Sequence, residues 1–593
     1  MSTNRAFVLD LAALLVQKVA MYIERVPNRG SQPTVLLREG WREGKRVRKR
    51  TIVNLTHWPP EKVESLRRVL KGQQLVPAAE VFSIEQSRPH GHVEAILGTI
   101  RHLELDRLVA AKPSRERSLV LAMLVSQLIH PASKLGTTRL WNTTTLAQEL
   151  GVEDADESEL YAAMDWLAKR QSRIEKKLAK RHLSEGTQVL YDVSSSYYEG
   201  RTCVLARRGY GRDKKKGKSI IVYGTMTDIQ GRPIALEVYP GNTGDPSTVS
   251  HQVDKLRKRF QLKRVVLVGD RGMLTQTQIE NLQDYPGLGW ISALRFSAIR
   301  KLADEGSLQL SLFDKSNLAE ISSSEFPNER LIVCKNPLLE QERKRKRLAL
   351  LEATELGLEK LIKEVQRRTK KPLSAVEIAK KATRVTQRYK MAKHFNLTIE
   401  DSLFRYERNL HSIRRESEVD GIYIIRTSEA KDNLSASDAV RRYKNLAQVE
   451  QFFRTIKGID RMVRPIRHRD EQRVRAHIFL CMLAYYVSWH MRKALAPLLF
   501  VDEELDEIRL TRDPVAKAAP SASAKRKKAT RRNEAGNWPL QSFETLVANL
   551  GTRCRNRCRL ANEPSSPAFY QLTEPNPFQT HAFSLLGVAP RSQ

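Results

Sequence analysis

Three acids stand in settings that ordinary surface carboxylates lack. Asp192 follows Val189-Leu-Tyr, a run suited to a core, and Asp270 closes the more apolar Val265-Val-Leu-Val-Gly. Glu450 lies in a helical stretch beside Val449, Phe452 and Phe453. A carboxylate without a partner is costly in such surroundings. If the two runs are neighbouring strands, their ends bring Asp192 and Asp270 to one edge, and a packed helix can add Glu450. Like charges gathered in this way call for cations, and hard carboxylate oxygens suit Mg²⁺. Two ions about 3.5–4 Å apart would activate an attacking hydroxyl and stabilise the leaving oxygen of a phosphodiester. Each acid also has a plainer reading. An Asp after a strand is often a turn or cap residue, and a mid-helix Glu is commonly a solvated ion-pair partner.

The stretch Gly211-Arg-Asp-Lys-Lys-Lys-Gly-Lys-Ser219 invites comparison with a phosphate-binding loop. It has one residue too many between its glycines. An apolar strand pattern follows it, where phosphate binding needs a helix N-terminus. No nucleotide cofactor is therefore expected. Lys214, Lys215, Lys216 and Lys218 read as contacts to a DNA backbone, or as a solvated turn.

The elements that must position these groups divide the chain into seven parts. Residues 1–90 hold an N-terminal extension and a small β-rich unit, with strand patterns over 21–56. Residues 91–186 are helical. Within them 143–150 and 157–170 outline a helix-turn-helix, although the acidic loop at 153–157 would repel phosphate, so a merely packed pair fits as well. From 187 to 294 the period becomes two, with strands expected at 188–193, 218–226, 233–239, 264–269 and 290–294 and helices between them. Residues 295–432 interrupt that pattern, and 340–393 read as a charged helical face rather than a core. Residues 433–510 resume the domain. There Ser435 opens a helix, with Asp438 three residues on, and Gly458 closes it. Residues 511–540 read as a basic flexible linker, and 541–593 as a tail with room for one helix.

The bulk numbers set limits. At 593 residues the chain needs several cores. With 102 basic and 67 acidic residues it carries +35, which points to a polyanion, nucleic acid foremost. Five scattered cysteines are no disulfide framework and fit a reducing cytoplasm. Cys554 and Cys558 have no second ligand pair, so zinc is not expected. The apolar start is interrupted by Asp10, Gln17 and Lys18, unlike a signal peptide, and His477 to Met491 suits a buried helix better than a membrane span. Met21-Tyr-Ile-Glu-Arg opens the β-rich unit, which leaves Met21 as an alternative start to Met1.

Six segments resemble the DDE transposases of bacterial insertion sequences. They are YDVSSSYYEG (191–200), GYGRDKKKGKSIIVYGTMTD (209–228), YPGNTGD (239–245), VVLVGDRGM (265–273), YKNLAQVEQFFRTIK (443–457) and RPIRHRDEQRVRAHIFLCMLAYYV (464–487). The resemblance implies a multidomain α/β protein. Its ribonuclease-H-like mixed five-stranded sheet would be interrupted by a large insertion. Asp192, Asp270 and Glu450 would hold two Mg²⁺, with Mn²⁺ able to substitute. Tyr443, Glu450 and Lys457 fall at the spacing of the Tyr-Arg-Glu-Lys signature and would share a helix face. Leu446 stands where that signature has Arg. Tyr443, Arg454, Lys457 and the 214–218 loop would grip phosphates of double-stranded DNA, both element ends and target. A homodimer assembled on DNA is expected, with no membrane partner. A decayed DNA-binding remnant, and a metal-dependent nuclease without strand transfer, are the alternatives.

Overall fold

The computed structural model describes residues 20–73, 81–213, 215–308, 313, 316–458, 463–516, 518–560 and 565–591. The chain forms two compact units, residues 1–87 with 556–571, and residues 88–555 with 572–593.

The first unit contains the expected β-rich element. Strands β1 (Ala20–Val26), β2 (Thr34–Glu43) and β3 (Arg46–Asn54) form an antiparallel meander, followed by a helix at Pro60–Leu70. Residues 1–19, and with them the question of the start, lie outside the described residues. Strand β4 (Phe82–Pro89) joins β15 (Cys554–Leu560) and β16 (Phe569–Leu572) in a second sheet, ordered β16-β15-β4. The C-terminal segment 556–571 is therefore part of the first unit. The expected one-helix tail is corrected: it carries two strands and two helices, Phe543–Gly551 and Pro577–Leu585.

The second unit opens with helices. The longest of these, Arg115–Ile129, is capped by Ser114, whose side chain accepts from Arg117 N. Of the helix-turn-helix outline, two helices joined through a left-handed Gly151 are present. Its first half shrinks to Leu146–Leu150, and its acidic loop is used structurally. Asp156 caps the Glu157–Ala168 helix, while Asp154 and Glu159 pair with Arg115. The helix packs against Arg115–Ile129 and against the long helix Glu471–Ala494. That last helix buries nearly all of the 478–488 run. Among the described residues no single helix is long and apolar enough to cross a membrane.

The sheet follows. β5 (Gln188–Tyr197), β6 (Ile220–Thr227) and β7 (Pro233–Pro240) form an antiparallel meander. β8 (Val265–Val268) and β9 (Leu288–Ala293) then add in parallel on the other side of β5. Almost every residue in these strands is buried, as a sheet covered on both faces requires. The expectation of five strands is corrected to eight. β10 (Leu318–Ile321), β11 (Arg330–Lys335) and β14 (Ile422–Thr427), all from the insertion, extend the sheet to β10-β11-β14-β9-β8-β5-β6-β7.

Between β11 and β14 the chain builds a separate small body. Helices Pro337–Arg367 and Ala375–Arg388 form an antiparallel pair beside the hairpin β12 (Phe395–Glu400) and β13 (Leu403–Arg408). The charged stretch is more than a solvated face. Leu351, Leu358, Leu361, Ile378, Phe395 and Phe404 form a core of their own. The 511–540 stretch is likewise folded rather than loose: Ser521 caps a helix at Ala522–Thr530, and Lys527 is buried against Glu503.

Candidate active site

Asp192 does not end its strand as expected; β5 runs five residues further, to Tyr197. It ends only the shared ladder. β5 and β8 pair from Gln188↔Val266 to Leu190↔Val268, and each acid lies two residues beyond that last pair. β8 ends at Val268, so Asp270 lies just past its end, while Asp192 is inside β5, the strand beside it. Past Leu190, β5 no longer pairs with β8 but stays paired with β6. The Asp192 carboxylate accepts from Val193 N at 2.7 Å. Oδ1 of Asp270 accepts from Gly272 N at 3.0 Å and Met273 N at 2.8 Å, so this acid also caps its own turn.

The helix that carries Glu450 spans Leu446–Lys457 and follows a helix at Ala436–Lys444, the two being interrupted at Asn445. The single helix expected from Ser435 to Gly458 is thus two, and Tyr443 belongs to the first. Glu450, Phe453 and Lys457 share one face of the second. Phe453 packs on Tyr223 of β6, with ring centroids 5.8 Å apart, and Lys457 Nζ donates to Ser194 Oγ at 2.6 Å. Ser194 sits two residues beyond Asp192, on the same face of β5. The exposed Glu450 lies about one turn before Phe453.

The loop from β5 to β6 closes over this edge. Ser195 Oγ accepts from Arg212 N at 3.2 Å, and Tyr197 N donates to Asp213 at 3.0 Å. Arg212 pairs with Asp245 at 2.5 Å. Asp213 is buried and faces two cations, Arg464 at 2.5 Å and Lys457 at 3.5 Å. These contacts join five of the six segments: 191–200, 209–228, 239–245, 443–457 and 464–487. Two glycines allow the backbone to close up: a Cβ on Gly209 would meet Gly241 O at 2.0 Å, and one on Gly241 would meet Ile220 O at 2.0 Å. The sequence reading missed Asp213 and Arg212. A lone acid inside a basic run was the available signal.

The expected DNA-gripping residues are not all free. Lys457 is turned inward onto β5, and burial pulls its ammonium down to about 8. Lys218 lies 3.9 Å from Glu199, and Lys215 sits over the ring of Tyr197 at 5.9 Å. Lys216 and Arg454 are exposed. Lys214 lies outside the described residues.

The three acids act on one another. Burial raises the Asp192 carboxyl to about 7; Asp270 and Glu450 push it up further, while Val193 N and Arg212 oppose the rise. Burial also lifts the Tyr443 phenol to about 12, and all three acids add to that, Asp270 most. Tyr443 therefore stands within electrostatic reach of each. A donor set of three hard carboxylates, one of them raised by burial and further by the other two, fits a divalent cation in its chemistry. Among the described residues, no three His, Cys, Asp or Glu side chains converge into a ligating group.

This chain belongs to the family described as transposase DDE domain, which it matches over residues 188–487. Residues 23–79 match a second family, the IS1634 family transposase N-terminal domain, consistent with an insertion-sequence enzyme of that class. No curated protein matches the sequence. Among solved structures, a piggyBac transposase synaptic complex with hairpin DNA is similar over 78% of this chain and 76% of that one, at 10% identity and a TM-score of 0.33. That likeness is too distant to argue from.

Proposed function

We propose that this chain binds the terminal repeats of its own element, cuts the DNA there and joins the freed end to a target. The observation that carries this reading is that Asp192 in β5 and Asp270 just past the end of the adjacent parallel β8 lie near each other and near Glu450, close enough for both acids to raise the Asp192 carboxyl. Five neighbouring strands, three antiparallel and then two parallel, support a ribonuclease-H-like centre within the larger sheet. Asp192, Asp270 and Glu450 would hold the divalent ions, Mg²⁺ or Mn²⁺. When bound, such ions supply activation of the attacking hydroxyl and stabilisation of the leaving oxygen.

The chain's own groups do the rest. Val193 N and the backbone of Gly272 and Met273 fix the two Asp carboxylates before substrate arrives. The Tyr443 phenol stays protonated at neutral pH and can donate to a phosphate oxygen. Lys216, Arg454 and neighbouring cations hold the DNA backbone, and a dimer holds two ends together. Hydrolysis frees a 3′-hydroxyl, which then attacks target DNA in line.

The test is cleavage of labelled duplexes from the DNA flanking the gene, with Mg²⁺ or with EDTA. A Mg²⁺-dependent nick at a repeat boundary is expected. Asp270→Asn should abolish the nick and leave end binding intact; wild-type cutting by that variant sinks the assignment. The open arrangement of the carboxylates favours one second reading, a DNA-binding remnant without catalysis. A Mn²⁺ titration separates the two, because weak binding lost in Asp192→Ala belongs only to the enzyme.

A further inference from the structure

A cleft of about 520 Å³ lies beside the acids, between the loop after Asp270 and the inserted helix Pro337–Arg367. Arg271 and Tyr443 line it from the catalytic side, and Arg343, Lys346 and Arg347 from the helix. Its charge is uneven. Four cations face two carboxylates, Glu416 and Asp420, and Asp420 is already taken by Arg347 at 2.6 Å. Arg343 makes a long hydrogen bond to Val419 O, 3.4 Å, and lies 6.0 Å from the Phe296 ring. Lys346 is exposed. Burial lowers the Arg343 guanidinium, and the positive charges of Arg271 and Arg347 lower it further, though Asp420 and Glu416 oppose this. Cations crowded beside a carboxylate centre mirror its problem, and an anion resolves it.

We propose that this cleft seats a phosphodiester of the DNA strand being cut, next to the scissile one, held by Arg343 and Lys346. This rests on the reading of the chain as a DNA-cutting enzyme. It gives the insertion a direct part in holding substrate, because its long helix Pro337–Arg367 supplies the cationic wall of the cleft. Arg343 fits a phosphate by its planar donor fork and Lys346 by its mobile point charge. Phe296 and Tyr443 offer apolar surface to the attached sugar or base.

The experiment combines backbone neutralisation with substitution. Duplexes carrying one methylphosphonate at successive positions around the cut are assayed with the wild type, Lys346→Ala and Arg343→Gln. Lys346→Ala keeps the test sound, since an exposed lysine is not needed for folding. At one position, neutralisation should slow wild-type cleavage about tenfold, as expected for losing a charged hydrogen bond. Each variant should slow cleavage of the unmodified duplex similarly, and the two changes together should cost no more than either alone. Independent, multiplying effects at every position overturn the proposal. If the wild type cuts no duplex in any metal, the enzymatic reading falls, and the salt dependence of binding to the unmodified duplex decides the phosphate seat. A slope shallower by about 0.9 in Lys346→Ala keeps it, and an unchanged slope removes it.

Discussion

At the scale of single residues, the site is held in a state it would not choose alone. Burial and two neighbouring acids keep Asp192 near pH 7, so above that pH its charge destabilises the fold. Asp192→Asn keeps an oxygen for Val193 N and removes the charge. It should abolish cleavage and stabilise the metal-free protein by about 1–3 kcal/mol at pH 8, allowing for screening at a part-exposed group. Thermal melting without metal checks this; a lower melting temperature refutes it. The strands that lead up to Asp192 and Asp270 were legible in the sequence from their apolar runs. Asp213 and Arg212 were not. Their partners, Arg464 and Asp245, lie 251 and 33 residues away, and no local pattern links them.

Among elements, periodicity served well where one face is buried and failed where a junction decides. The five expected strands of the large sheet and the long buried helix Glu471–Ala494 stand close to where alternation and composition put them. The break at Asn445 was hidden, because both flanking helices keep the same apolar rhythm across it. The insertion's core was hidden by its charge: Leu351, Leu358, Leu361 and Val365 form a stripe diluted among Lys, Arg and Glu. Gly357 marks where its two helices touch, since a Cβ there would lie 2.6 Å from Val385 Cγ1. Leu358→Ala should cost about 2–5 kcal/mol, felt mainly inside the inserted body. Limited proteolysis should then open residues 337–408 before the catalytic sheet; simultaneous digestion of both would refute that separation.

For the molecule as a whole, the tail is the largest surprise, because its partners are hundreds of residues distant. Arg553 is buried against Glu94, which also accepts from Arg591 N at 2.7 Å. Arg553→Leu leaves that carboxylate without its cation and should cost about 3–5 kcal/mol, read by chemical denaturation. A change under about 1 kcal/mol would show that the pair contributes little. Acid should weaken the protein too. Burial depresses His90 and His182 to about 3, and His92, His468 and His490 to about 4. The unfolded chain takes up these protons near pH 6.5, before the folded one does. Their stabilisation is full above that pH and declines as pH falls toward 4. The melting temperature should drop over this window, and a flat profile would contradict the burial of these rings.

The placement of Asp192 and Asp270 bears on how such a gene can vary. Between β7 and β8 the chain is free to lengthen, since what intervenes is loop and helix. Upstream of either acid it is not. One codon gained or lost within 188–192 reverses the pleat and sends Asp192 to the opposite side of the sheet, and one within 265–268 breaks the pairing that leads to Asp270. Paired gains of two would shift Asp192 along the ladder without turning it over. Length differences among descendants of this gene should therefore collect in the connections and spare those two short runs.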